Sequence, residues 1–398
     1  MSTTTAIDAA LSKAVAAGDV PGVVALAADD QGVVYQGAYG RRVLGDDTAM
    51  TLDSVFWIAS MTKAVTTVAA LQLVESGKLA LDAPIAPVLP ELADRPVLEG
   101  FDAEGKPRLR PAKRPVTLRH LLTHTAGFAY DMWNADIKRL MERDNVPGII
   151  SCRQAALRTP LTFDPGEKWH YGINIDFVGR AVEAVSGRSL QDYFRVHILD
   201  PLGMADTGFT LDPGQRARRV GMHARLPDGG LAPIDFEVPQ QPEFFMGGGG
   251  LYGTGVDYLR FLRMLLAGGS LDGARILKPE TVAMMAENQI GDLEAGVLRT
   301  VLPASSNDVD FFPGMSQKWG LGFLINTEDS RHGRKAGSLA WAGLGNTYFW
   351  IDRDSGLAGV ILMQILPFAD QKAVALYGAF EQALYQGRGQ GRGQGRGA

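Results

Sequence analysis

In WIASMTKAV, residues 57–65, a serine and a lysine stand three positions apart where an apolar helix begins. Helix positions i and i+3 share a face, so Ser60 and Lys63 bring a hydroxyl and an amine within reach of each other. A serine is a poor nucleophile until a neighbour takes its proton, and Lys63 is the candidate acceptor. The plainer reading makes Ser60 a helix cap and Lys63 a solvated first-turn side chain. A lysine in the first turn, however, faces the positive end of the helix dipole, which weakens its hold on a proton. Keeping its amine neutral near pH 7 takes a shift of roughly three units, or about 4 to 5 kcal/mol, which burial and a second polar partner can supply.

PGEKWHYGINID, residues 165–176, offers that partner in Tyr171. A phenol beside a cationic lysine is pushed toward phenolate, so a tyrosine and a lysine can relay a proton in either order. Out of context Tyr171, one of 10 tyrosines, reads as a residue at a helix start between core and water.

The whole chain bounds these readings. At 398 residues it suggests two lobes with material for a sizeable core, and 46% hydrophobic with 21% charged residues is a globular composition. A formal net charge of -5 provides no field to collect polyanions, so nucleic acid is not expected as a partner. Cys152 is the only cysteine, which excludes an intrachain disulfide and fits a reducing compartment. MSTTTAIDAALSKAVAAG lacks a basic segment followed by an apolar one, and no run of eighteen apolar residues occurs, so the chain reads as cytoplasmic with no membrane partner.

Along the chain, Ile7, Ala10, Leu11 and Val15 predict an amphipathic helix over residues 5–17. GVVALAADD (22–30) and VVYQGAYG (33–40) form a hairpin around DDQG, and TTVAALQLVESGKLAL continues the helix of Ser60 to a stop near Gly77. Residues 84–289 alternate helices with long loops. Then KWGLGFLIN, LAWAG and TYFWIDRDSGLAGVILMQ return to strands, and ADQKAVALYGAFEQALYQ closes as a helix. The expected fold is α+β: one antiparallel sheet completed by both chain ends (1–83 and 290–385), with a mostly helical inserted lobe (84–289). The Gly/Arg/Gln run over 386–398 reads as a flexible tail.

Five segments taken in order resemble one superfamily. SMTK (60–63), HLLTHTAG (120–127), YGIN (171–174), GGGGLYGTGVDYLRFL (247–262) and WAGLGNTYFW (341–350) are similar to the motifs of the serine β-lactamase-like hydrolases. Nearly the whole chain is covered, and the resemblance is greatest to the family VIII bacterial carboxylesterases, relatives of class C β-lactamases and D,D-peptidases. It implies that fold, an acyl-enzyme on Ser60, Lys63 sharing the serine's proton, and Tyr171 as general base. It also implies an oxyanion hole from the backbone N–H groups of Ser60 and Leu344, each such donor supplying about 3 to 4 kcal/mol of barrier lowering.

Departures from the motifs bear on the substrate. Class C β-lactamases and peptidases carry Y-x-N, whereas here Asn174 comes one place late after Tyr171. Where they carry K-T-G this chain has Trp341-Ala342-Gly343, the W-x-G form of the esterases. Lys335-Ala336-Gly337-Ser338 competes for that alignment but lies too far from TYFW. Without the motif's lysine a substrate carboxylate loses a charge-assisted bond of about 1.5 to 3 kcal/mol, while a neutral ester loses nothing. Trp341, Ala342, Gly343, Phe128, Trp133, Trp169, Phe244 and Phe245 are candidates for the substrate pocket.

Other chemistries fit less well. His120 and His124 stand four apart, but no H-E-x-x-H glutamate accompanies them, and His124 reads as bonding backbone, so no metal is expected. GGGGLYGTG lacks the terminal lysine of a phosphate loop and reads as a close-packed loop beside the cleft. The absence of G-x-S-x-G argues against an α/β-hydrolase triad. The sequence therefore predicts a serine carboxylesterase acting on small carboxylic esters with no cofactor. Acyl transfer, β-lactam or peptide cleavage, and a non-catalytic binding protein with the same fold are the alternatives.

Overall fold

The computed structural model describes residues 2–392. Helix α1 (Thr3–Ala16) starts at Ser2, whose Oγ accepts the Thr5 N–H at 3.2 Å, and buries Ile7, Leu11 and Ala14. Strands β1 (Gly22–Asp29) and β2 (Val33–Gly40) follow as an antiparallel hairpin, and α2 (Thr62–Glu75) carries Lys63. The insert supplies α3 (Leu118–Leu122), α4 (Ala135–Asp144), α5 (Asn174–Ser186) and α6 (Gly255–Leu266). Strands β3 (Gln317–Trp319), β4 (Leu324–Asn326), β5 (Leu339–Gly343), β6 (Thr347–Asp352) and β7 (Leu357–Leu362) complete the sheet before α7 (Gln371–Arg392). Residues 386–392, expected as part of a flexible tail, instead continue α7, and 393–398 lie outside the described residues.

All seven strands pair antiparallel in the order β3-β4-β5-β6-β7-β1-β2. The two chain ends meet where β1 joins β7, from Val24 opposite Leu362 to Asp29 opposite Leu357. This is the α+β sheet expected from the sequence. β1 is buried along almost its whole length because both faces are covered, which is why GVVALAA reads as a continuous apolar run. Val24 and Leu26 point at α6, so closely that a Cβ on Gly255 would lie 2.5 Å from Leu26 Cδ1. By the two-residue alternation of a strand, the other face belongs to α1, which packs on β1, β2 and α7.

Helix α6 thus comes from the stretch assigned to the insert but packs on β1, β6 and β7. The insert also contains two hairpins that the sequence reading passed over, Val97–Phe101 with Pro107–Arg110 and Met222–Arg225 with Leu231–Ile234. The first buries Val97 and Leu98, but the rest is rich in charge and at least partly exposed, so it shows no alternation. It is anchored at its last residue, Arg110, whose Nη1 and Nη2 each donate at 2.8 Å to the buried carboxylate of Asp164. Among the described residues no helix is long and apolar enough to cross a membrane.

A buried ion pair ties α7 to the turn between β4 and β5. Arg334 donates from Nη2 to Glu381 Oε2 at 2.5 Å and to the Tyr377 hydroxyl at 2.6 Å, and the Tyr377 ring stacks on Tyr348 of β6 at 4.7 Å. Both charges are almost fully removed from water, so each is tolerable only because of the other. Glu381→Ala should therefore destabilise the protein by about 3 to 5 kcal/mol, read as a fall in the urea midpoint at constant slope. A change below about 1 kcal/mol would mean that water reaches Arg334.

Candidate active site

The turn before α2 is fixed on several sides. Phe56–Trp57 pairs with Tyr252–Gly253, the Ile58 N–H donates to Leu251 O at 3.0 Å, and the Trp57 indole donates to Gly249 O at 2.7 Å. From the sheet, Gln364 Nε2 donates to Trp57 O at 3.0 Å. These bonds hold Ala59 at φ +46°, a left-handed conformation costing a non-glycine residue about 1 to 3 kcal/mol. A single 3-10 turn, Ala59–Met61, then presents Ser60 partly exposed just ahead of the helix. Ser60 does not cap α2.

Lys63 is 1% exposed, so the solvated first-turn alternative fails. α2 is buried on nearly all sides, leaving its first-turn lysine no route to solvent. Its Nζ lies 3.1 Å from Ser60 Oγ, 3.0 Å from the Tyr130 hydroxyl and 2.6 Å from Gly248 O. It also stands over the faces of two phenols, 4.7 Å from the Tyr171 ring centre and 5.3 Å from that of Tyr130. Burial pushes its pKa well below the usual amine range, and the charge of Asp176 partly opposes this. Asp176, on the buried face of α5, accepts the Gly248 N–H on Oδ1 at 2.9 Å. Its own pKa is raised by burial and held down by Lys63 and by that N–H.

The glycine run thus has a specific use. Gly247, Gly248 and Gly249 give their carbonyls to Thr66, Lys63 and Trp57. A Cβ on Gly248 would sit 2.5 Å from Asp176 Oδ2. A side chain there would displace either the carboxylate or the amine's acceptor.

Tyr171, 2% exposed, leaves the loop before α5 with its ring 4.8 Å from that of Trp341. The Trp341 indole donates to the Tyr171 hydroxyl at 2.9 Å. Burial raises the Tyr171 pKa, while hydrogen bonds from Ser60 and Trp341 lower it, and the balance stays above the ordinary phenol value. Tyr130 is likewise raised by burial and then by the charges around it. Burial thus favours the protonated form of both phenols and the neutral form of Lys63. The sequence leaves the order of the relay open, and one dry environment disfavours phenolate and ammonium alike.

Trp341, Ala342 and Gly343 are the end of β5, and Leu344 follows in the turn to β6. The strand end runs so close to the Ser60 turn that a Cβ on Gly343 would lie 2.3 Å from Ile58 O. Asn346 fixes that turn, donating to Ile365 O at 2.8 Å and Pro367 O at 2.9 Å. Lys335 of the competing motif is exposed on the turn between β4 and β5 and pairs with Asp329 at 2.6 Å.

A β-lactamase family model matches residues 7–384. The chain belongs to the β-lactamase family. Within it, the chain is 35% identical to a lovastatin esterase of Penicillium rubens, over 96% of this chain and 98% of that one. It is 33% identical to a monacolin J acid methylbutanoyltransferase of Aspergillus terreus, over 95% of each. The structure superposes on a simvastatin synthase variant from Aspergillus terreus with a TM-score of 0.85 and 31% identity, covering 97% of both chains. The β-lactamase-like fold expected from the five motifs is therefore the fold of this protein.

The outer pocket residues divide. Trp133 borders both phenols, with ring centres 5.8 Å from Tyr130 and 5.5 Å from Tyr171, and its indole donates to Ser306 Oγ at 3.2 Å. Phe128 is core instead, fully buried and stacked on Phe177 at 4.6 Å, with its carbonyl so close to Gly172 that a Cβ there would lie 2.3 Å away. Trp169 packs on Trp319 at 5.4 Å, one ring behind Trp341. Phe244 is buried, and Phe245 packs on Phe209 at 5.1 Å. Asn174 faces inward, 2.9 Å from His124 Nδ1. His120 and His124 do not make a pair on one helix. His120 caps α3, with Nδ1 accepting the Thr117 N–H, whereas His124 lies beyond it at φ +57° with Nδ1 also receiving the Gly172 N–H at 3.5 Å.

Sequence reasoning missed Tyr130 and Asp176. Tyr130 lies in TAGFAYDMW, outside any motif considered. Asp176 reads as an ordinary first-turn acid of α5, and the available signal was its place between Ile175 and Phe177 on an apolar face.

The Asp176 charge favours the protonated form of Lys63. Removing it in Asp176→Asn should lower the Lys63 ionisation, so the pH midpoint for labelling of Ser60 by a fluorophosphonate moves down. An unchanged or raised midpoint would show that the carboxylate does not act on Lys63.

Proposed function

We propose that this protein is a serine carboxylesterase that cleaves small, uncharged carboxylic esters through an acyl-Ser60 intermediate. The observation that carries the reading is the buried Lys63 amine, weakened as a base-holding cation and 3.1 Å from the Ser60 hydroxyl. Lys63 Nζ takes the hydroxyl proton as Ser60 Oγ bonds to the ester carbonyl carbon. The carbonyl oxygen becomes an oxyanion, for which the N–H groups of Ser60 and Leu344 are the proposed donors. Collapse re-forms the carbonyl and breaks the carbon–oxygen ester bond, and the departing alkoxide takes the Tyr171 proton. The Lys63 ammonium then restores a proton to the phenolate. Water attacks the acyl group in the same sequence run backwards and frees Ser60.

Three features support esters over carboxylate-bearing amides. Asn174 is turned into the core, Lys335 is committed to Asp329 at the surface, and Trp341 occupies the motif position where a lysine would bind a carboxylate. The relative named a lovastatin esterase supports ester cleavage. The relative named a methylbutanoyltransferase supports a second reading, in which an alcohol instead of water receives the acyl group. The aromatic rings of Trp133 and Trp341 against Tyr171, with Phe311 packed on Trp341, favour an apolar acceptor over water.

Wild-type enzyme should hydrolyse p-nitrophenyl acetate, and Ser60→Ala should lose at least about a thousandfold in kcat/KM. Nitrocefin, an anionic β-lactam, should be turned over far more slowly. Added alcohol should yield a new ester if transfer competes with hydrolysis. Esterase activity persisting in Ser60→Ala would overturn the acyl-serine reading.

A further inference from the structure

We propose that Trp341 is a positioning residue whose indole N–H directs the Tyr171 hydroxyl proton toward Ser60 and the departing alkoxide, and steadies the phenolate left behind. This deepens the ester reading above and rests on it. The sequence casts Trp341 as an apolar wall, and a wall needs only the ring. The structure gives the N–H a partner: the Tyr171 hydroxyl, 2.9 Å away, in a site where Trp341 is 6% exposed.

An indole N–H can donate but never accept. A phenol has one proton to give and oxygen lone pairs to receive. With Trp341 filling an acceptor position, the phenol proton is barred from that side and must turn elsewhere. The side left open holds Ser60, whose Oγ and the Tyr171 ring both lie against Lys63 Nζ, at 3.1 Å and 4.7 Å to the ring centre, and beyond Ser60 any ester bound there. The indole has little freedom to move away, because its ring is packed 4.7 Å from Trp319 and 5.4 Å from Phe311. When Tyr171 gives up its proton, the bond becomes one to an anion and strengthens, so Trp341 favours the transition state over the resting enzyme.

The test compares two leaving groups. p-Nitrophenolate departs without being protonated, whereas the alkoxide of an ethyl ester needs a proton as it leaves. Trp341→Phe keeps an aromatic ring and deletes the donor. Relative to wild type, kcat/KM for ethyl butyrate should fall about ten- to a hundredfold more than for p-nitrophenyl butyrate, with KM for the two nearly unchanged. 3-Benzothienylalanine at position 341 keeps the bicyclic shape with sulfur in place of N–H. It should reproduce the same selective loss, which guards against a packing defect in the phenylalanine variant. Equal losses for both esters, or a rise in KM alone, would overturn the proposal and return Trp341 to the role of a wall. Wild-type turnover of both butyrates is the control: its absence would sink the ester reading itself.

Discussion

A primary amine with no access to water is the constraint around which this active site is built. Lys63 has three polar partners: Ser60 Oγ, the Tyr130 hydroxyl and Gly248 O. Three partners fill the three donors of an ammonium. They equally fill the two donors and one lone pair of a neutral amine, provided one of the two hydroxyls turns its proton inward. The amine can gain or lose a proton without leaving any neighbour unsatisfied, which a buried polar cluster ordinarily cannot do cheaply. Gly248 is what makes this compact, because its carbonyl meets the lysine while its N–H meets Asp176, and a side chain there would strike the carboxylate.

Much of this was legible in the sequence, for a physical reason. Ser60 and Lys63 lie one helical turn apart, so local geometry alone brings them together. The sheet was legible because its strands are β-rich runs bounded by turn residues, as GVVALAADD and VVYQGAYG are around DDQG. Tyr130 and Asp176 were not legible, because each joins the site through tertiary packing. Tyr130 stands 67 residues from the lysine it touches. Asp176 sits where first-turn acids are common, and only its inward direction distinguishes it. Phe128 failed in the opposite sense. An aromatic beside a motif looks like a pocket wall, yet this one is fully buried and stacked on Phe177. The Val97–Arg110 hairpin escaped because only Val97 and Leu98 at one end are buried, while the charged remainder is anchored by the Arg110–Asp164 pair.

In the proposed mechanism one environment prepares two opposite tasks. Removing water disfavours charge of either sign, so the same dry pocket makes Lys63 a better proton acceptor at rest and keeps Tyr171 a protonated donor. No separate device is required to set the base and the acid apart. Left unchecked, burial would weaken the amine until it no longer competed for the serine proton, since a base far below the working pH transfers protons poorly. Asp176 limits that drift from one side, as a carboxylate beneath the amine. Trp341 limits the matching drift of the phenol from the other, as a donor on its oxygen. The two groups that sequence reading either missed or took for a wall are therefore the ones that hold the acid and the base within reach of each other's proton.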